Sequence, residues 1–256
     1  MTTLTVLGSG TAVPTARRSP PGLLLQRPGG DSFLIDPGPG ALCRAVRAGA
    51  AIERIAAVFL THFHPDHTLD LMSLLFARRN VLLEPKLREL TLVGPPGTAA
   101  LYRRMVDLYG HWVEAPEGRL RLIEIEESDR PLPEAAQLPG RAVEVAHMDH
   151  SLGYRFELPE GTIAISGDSE PCAGLIRLGY RADLFLLECS VSDAHRGTPG
   201  HLCPSEVAAI AIDAEPARLV LYHLYPPVDA SAALRIIETR FRGRTVVAED
   251  GQTWRL

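Results

Sequence analysis

Lysine is almost absent. Lys86 is the only one among 256 residues, so the cationic surface is arginine, a compositional bias. Acidic side chains (31) outnumber Lys and Arg together (26), and the net charge is −5. That balance offers no basic footprint for a nucleic-acid backbone. Cysteine is scarce: Cys43, Cys172, Cys189 and Cys203 lie far apart with no C-x-x-C pair. They read as buried thiols in a reducing cytoplasm rather than a disulfide framework. No apolar run approaches the roughly 18 residues of a membrane span. Met1-Thr2-Thr3-Leu4 lacks the charged n-region and apolar core of a signal peptide, so a cytoplasmic location is expected. Internal repeats, linkers and low-complexity blocks are missing too, and one domain over residues 1–256 is expected.

What is present is concentrated in Thr61–Leu71. His62, His64, Asp66 and His67 put four potential metal ligands within six residues. The apolar run Ile55–Leu60 before them reads as a buried strand. Leu69, Met72 and Leu75 or Phe76 after them recur at helical spacing. The cluster therefore falls at the carboxyl end of a strand, on the loop that opens a helix, where open α/β sheets place their sites. Residues two apart on an extended segment point the same way, so His62 and His64 can grip one ion. Pro65 forces a turn, and Asp66 and His67 can face a second. Imidazole and carboxylate suit zinc, iron or manganese.

Other strands end in similar residues. A strand at Thr3–Leu7 runs into Gly8-Ser9-Gly10-Thr11, a turn that could offer backbone N–H groups to an anion. Gly22–Arg27 and Ser32–Asp36 read as a hairpin ending in Asp36, either a turn former or an orienting partner for a ligand. Residues 128–140, rich in Pro and acid, read as a loop over the surface. Arg141–Ala146 delivers His147, and a hairpin at Gly153–Leu158 and Thr162–Ser166 delivers Asp168. Asp183–Leu187 ends in Glu188, and Arg218–Tyr222 delivers His223. A Gly-rich loop carries His201. The end of the chain reads as a helix over Ala230–Phe241 and a hairpin of Thr245–Ala248 with Thr253–Leu256. Asp36, His62, His147, Asp168 and His223 thus close five separate strands and can converge if those strands lie side by side.

These residues resemble the metallo-β-lactamase superfamily: the H-x-H-x-D-H string, then a His, a Gly-Asp and a late His after an apolar strand. Within it the chain looks most like the ribonuclease Z and arylsulfatase-like branch, through Leu7-Gly8-Ser9-Gly10-Thr11-Ala12-Val13-Pro14, Leu34-Ile35-Asp36, and His147 six residues ahead of Gly153-Tyr154-Arg155. The resemblance implies an α/β fold, a four-layer αββα sandwich with two divalent metals, zinc first and manganese or iron as alternatives. It implies His62, His64 and His147 on the first metal, Asp66, His67 and His223 on the second, and Asp168 on both. His150 rivals His147. Asp66 also counts among the catalytic residues, with His201 near the scissile group.

Two departures stand out. Asp70 occupies a position where many members have Gly. The segment Tyr154–Asp168 has room only for a hairpin, where ribonuclease Z carries a long arm that grips tRNA. With the acidic net charge, this argues against tRNA as the partner. The expected function is a dinuclear hydrolase using a metal-bridging hydroxide on a small or cyclic phosphodiester or a short RNA. The alternative is a lactonase, thioesterase or carboxylic ester hydrolase on the same site. Behind these stand an iron redox protein, against which His64 and the lack of a flavin domain argue, and a non-catalytic metal-binding module. A homodimer is left open.

Overall fold

Strands that are apolar on both faces must be covered on both sides. In the computed structural model, which describes residues 1–80, 83 and 86–256, such strands form the middle of two sheets. The first sheet holds β1 (Thr3–Gly8), β2 (Gly22–Gln26), β3 (Ser32–Ile35), β4 (Ile55–Phe59), β5 (Leu90–Gly94) and β6 (Leu120–Glu124) side by side. The meander β1–β2–β3 is antiparallel, and β3 to β6 run parallel. The second sheet repeats the plan. Its strands β7 (Gly140–Glu144), β8 (Leu152–Leu158) and β9 (Gly161–Ile165) are antiparallel. They continue as parallel β10 (Leu184–Glu188), β11 (Arg218–Tyr222) and β12 (Arg244–Val247).

Three apolar cores separate four layers. Between the sheets lie Phe33, Phe59, Tyr154, Phe156, Ile163 and Leu186. Outside the first sheet pack α1 (Ala41–Arg47), α2 (Pro65–Arg78) and α3 (Thr98–Tyr109), against side chains such as Leu34, Val58 and Leu92. Outside the second pack α4 (Ala173–Gly179), α5 (Pro204–Ala214) and α6 (Ala230–Glu238), against Phe185, Leu187, Leu219 and Leu221. On β10, Leu184 and Leu186 point to the inter-sheet core while Phe185 and Leu187 point to the helices, as the period of two demands. This is the expected αββα sandwich.

The inter-sheet core is tied to the metal loop. Phe59 meets Tyr154 and Phe156 edge-on at centroid separations of 5.3 and 5.0 Å. The Tyr154 hydroxyl donates to the Leu60 carbonyl at 2.8 Å, and the Leu152 N–H donates to the Thr61 carbonyl at 2.9 Å. The second sheet thereby holds the backbone from which His62 projects.

Several expectations are corrected. On α2 the apolar spacing Leu69, Met72 and Leu75 or Phe76 is only partly the buried face: Leu75 is buried and Met72 half-buried, but Leu69 and Phe76 are 46% and 54% exposed. The buried face is His67, Leu71, Leu74, Leu75 and Arg78. His67 is fully buried against Asp36, and this sets the rotation of the helix, so that residues four, seven and eight positions on follow it inward. The final strands are not a hairpin. The last strand, β13 (Thr253–Arg255), pairs antiparallel with β1 in the first sheet, while β12 lies beside β11 in the second. Each forms an outer edge of its sheet, and the chain between them crosses from one sheet to the other. Residues 128–140 run over the surface with most side chains exposed, but Leu132, Ala136 and Leu138 turn inward and anchor the segment in the inter-sheet core. The last helix ends at Glu238, with a turn continuing to Phe241.

The glycine turn after β1 does take an anion, and that anion is Asp250 of the same chain. Its carboxylate accepts from the Ser9 N–H, the Ser9 hydroxyl and the Ser19 N–H, each at 2.8 Å. Asp70 has a defined task as well. Its carboxylate accepts the Leu42 N–H at 2.8 Å in the first turn of α1, and its own N–H donates to the Pro37 carbonyl. This locks α2 to the loop carrying Asp36 and places negative charge at a helix N-terminus, where it is favoured.

Candidate metal centre

The carboxyl ends of β3, β4, β9 and β11, with the turn after β7, bring the predicted residues together. Asp36 and His223 follow their strands directly, both with positive φ (48° and 56°). Non-glycine residues held in this region carry strain of the order of 1–3 kcal/mol, which tends to collect at working sites. His62, His147 and Asp168 lie three residues beyond the ends of their strands.

Two clusters form around one carboxylate. In the first, His62 Nε2 and His147 Nε2 each lie 3.1 Å from His64 Nδ1. In the second, His67 Nε2 lies 3.3 Å from His223 Nε2, and Asp66 Oδ2 is 3.7 Å from each. Asp168 stands between them. Its Oδ2 is 3.9 Å from the His62 and His147 nitrogens, and its Oδ1 is 3.5 and 3.4 Å from those of His67 and His223. His150 stays outside, exposed and with φ at 61°, so the geometry selects His147 over its rival.

Proton accounting shows what the clusters suit. The Thr61 hydroxyl donates its single proton to Asp36 Oδ2, so at 2.9 Å it can only accept from His62 Nδ1–H. The Ser190 hydroxyl donates to the His223 carbonyl and so accepts from His223 Nδ1–H. His67 Nδ1–H donates to Asp36 Oδ2 at 2.9 Å, and His147 Nδ1–H to the Gly200 carbonyl at 2.9 Å. Four imidazoles thus have their outer N–H committed and turn an inner lone pair toward Asp168. Lone pairs cannot bond to one another, and the fully buried Asp168 Oδ1 has no hydrogen-bond donor. Cations between these atoms satisfy both facts, with the orienting partners that metal-bound imidazoles need. The donor set, five imidazole nitrogens and two carboxylates, suits divalent zinc, manganese or iron.

The electrostatics favour the ligating form at His62 and His147 and a competing proton at His67. Burial pushes His62 well below the ordinary imidazole value and His147 below it, which favours the neutral, ligating form. Burial alone would raise the Asp168 carboxyl, but His223, His67 and His62 hold it well below the carboxylate range. Asp66 is also lowered, as His223 and His67 outweigh burial. Burial alone would lower His67, but Asp168 and Asp36 lift it well above the usual value.

His201 joins Asp168 and His223 as a further group within ligand distance. Its Nδ1–H donates to Glu188 Oε1 at 3.1 Å, leaving Nε2 to face the cluster. Burial alone would lower this imidazole, but Glu188 raises it, with Asp168 and Asp66 adding to the effect. Glu188 is fully buried and also accepts the backbone N–H groups of Ser169, Ser190 and Leu202. It therefore orients His201 rather than a ligand imidazole.

Sequence reasoning missed Thr61, Ser190 and Tyr225. Thr61 directly precedes His62 and could have been found there. Ser190 reaches His223 across 33 positions, with no local signal. The Tyr225 ring packs edge-on against His201 at 5.6 Å and also lines a cavity of about 720 Å³ that carries Arg17 and Arg18 alongside Asp229, Glu249 and Asp250.

The fold and this arrangement of side chains define a hydrolase of the metallo-β-lactamase fold. The Beta-lactamase superfamily domain matches residues 32–224, and the chain belongs to that superfamily. A ribonuclease Z of Mycolicibacterium paratuberculosis is 30% identical over 98% of this chain and 96% of its own length. That alignment spans 274 positions, more than the 256 residues of this chain, so the relative carries extra residues inside the matched span. The metallo-beta-lactamase fold protein YhfI from Bacillus subtilis superposes with a TM-score of 0.85 at 24% identity, covering both chains completely. The short form of human tRNase Z gives 0.73 at 23%, over 99% of this chain and 98% of its own. Zn(2+)-bound PqqB from Methylobacterium extorquens gives 0.76 at 19%, over 99% and 100%. At these identities the structural likeness speaks for the fold alone. The chain is a hydrolytic enzyme of the superfamily with ribonuclease Z relatives. Among the described residues, no helix is long and apolar enough to cross a membrane.

Proposed function

We propose that the chain, as one domain over residues 1–256, is a dinuclear metal-dependent phosphodiesterase acting on a small or cyclic phosphodiester or a short RNA. The observation that carries this reading is the ring of committed imidazoles around the donor-less Asp168 Oδ1. His62, His64 and His147 would hold one cation, Asp66, His67 and His223 the other, and Asp168 both. Two divalent cations there, zinc first, would take up charge on a phosphoryl oxygen and lower the pKa of a water to about 7.

The chain's own residues supply the rest. Asp36, acting directly on His67 and through Thr61 on His62, holds one imidazole of each cluster in the ligating tautomer. His201, whose imidazolium form Glu188 favours through Nδ1–H, would deliver a proton from Nε2 to the departing alkoxide, a step worth about 10²–10⁴-fold. Tyr225 packs edge-on against His201 and also lines the neighbouring cavity that carries Arg17 and Arg18.

A short hairpin in place of the long arm, together with the net charge of −5, argues against tRNA. The β8–β9 hairpin turns through Pro159 and Glu160 alone. The relatives named ribonuclease Z and tRNase Z pull the other way, so a tRNA precursor belongs among the test substrates. Metal analysis of the purified protein, with a screen of bis-nitrophenyl phosphate, cyclic nucleotides, a tRNA precursor, lactones and thioesters, decides the matter. Two metals per chain and turnover of a phosphodiester are expected. Lactone or thioester turnover without phosphodiester turnover would replace this reading with the acyl one.

A further inference from the structure

Three loops meet beside His147. The turn carrying it is joined to the loop after β9 by the Glu170 N–H, which donates to the Ala146 carbonyl at 2.6 Å. The Glu170 carboxylate reaches the loop of His201, accepting the Gly200 N–H at 2.9 Å. The Gly200 carbonyl then accepts His147 Nδ1–H at 2.9 Å, which closes the circuit. Gly200 is itself left-handed at φ +82°, and a Cβ there would stand 2.6 Å from His147 Nδ1. Only glycine lets this carbonyl approach the imidazole so closely.

We propose that Glu170 and Gly200 are positioning residues for two working imidazoles at once. This rests on the dinuclear reading above. Through the Gly200 carbonyl they set the tautomer and tilt of His147. Through the next peptide they set His201, whose ring centroid lies 5.5 Å from that of His147. Glu170 is not among the residues that would hold a cation. Its side chain is at the surface, where its carboxylate accepts the Gly200 N–H. The loop carrying the proton donor is therefore registered against a ligand of the first cation rather than hanging free.

The test uses Glu170→Ala, Glu170→Gln and Gly200→Ala in the full chain. Metal is titrated by cobalt(II) absorbance, and kcat and KM are measured on whichever substrate the wild type turns over. Glu170→Ala should weaken one of the two cobalt sites, the one that includes His147, about 10-fold or more, the scale on which orienting partners act. It should lower kcat with KM within about twofold. Glu170→Gln keeps an acceptor oxygen for the Gly200 N–H and should restore both readouts. Gly200→Ala should weaken the same cobalt site, and adding Glu170→Ala to it should cost little more, because both changes break one circuit. Cobalt binding by Glu170→Ala equal to wild type, or a Glu170→Gln variant as impaired as the alanine, overturns the proposal. A wild-type protein that binds no pair of metals would instead overturn the dinuclear reading, so the two failures are distinguishable.

Discussion

Replacing Asp36 by Asn should damage both halves of the centre at once. Asp36 Oδ1 accepts the Thr61 N–H at 2.8 Å, and Oδ2 accepts the Thr61 hydroxyl at 2.7 Å and His67 Nδ1–H at 2.9 Å. Three donors thus converge on two acceptor oxygens. An amide has only one acceptor oxygen, so in either flip at least one donor faces an NH₂ group. The site is buried, and leaving such a donor unmatched costs about 1–3 kcal/mol. For a chain of about this size that lowers the melting temperature of the metal-free protein by about 2–12 °C. Asn tolerates the left-handed backbone that Asp36 adopts, so the backbone contributes little to the loss. Because His67 bonds Asp36 directly and His62 does so through Thr61, cation affinity should fall about 10–100-fold in each cluster. Thermal denaturation in excess chelator reads the first effect, and metal titration against a competing chelator reads the second. An Asp36→Asn protein that keeps two metals at wild-type affinity refutes the claim that this carboxylate sets both tautomers.

Other outcomes are expected. His201→Ala should lower kcat by about 10²–10⁴-fold while both metals remain bound, as checked by metal analysis beside steady-state kinetics. Loading the metal-free protein at neutral pH should release a proton, because Asp168 and Asp36 raise His67 and a proton competes with the cation for its Nε2. Affinity should therefore fall as pH falls. Calorimetry in buffers of different ionisation enthalpy checks this, and identical heats in all of them contradict it. Asp250→Ala strips the acceptor from Ser9 and Ser19 and should lower the melting temperature while leaving metal content at two per chain. Metal loss in that variant would mean the glycine turn supports the site.

The ligand string was readable because its spacing is local. His62, His64, Asp66 and His67 sit on one loop, and the extended-then-helical geometry follows from Pro65 and the flanking apolar pattern. The apolar strands were readable for the same reason, since strands buried on both faces write continuous Val, Leu and Ile runs. The αββα layering rested more on resemblance, because no periodicity says which sheet a strand joins. That gap is where the final hairpin went wrong: β12 and β13 look like neighbours along the chain and pair in different sheets.

What the chain determined by itself is the chemistry, namely imidazoles and carboxylates at strand ends. What only the tertiary structure decided is which nitrogen each imidazole offers. Asp36, Ser190 and Gly200 reach their histidines across 31, 33 and 53 positions, and hydrogen bonds of that range leave no mark on local sequence. The same holds for the face α2 buries. Helical spacing permits two apolar stripes, and the bond between His67 and Asp36 turns one of them inward.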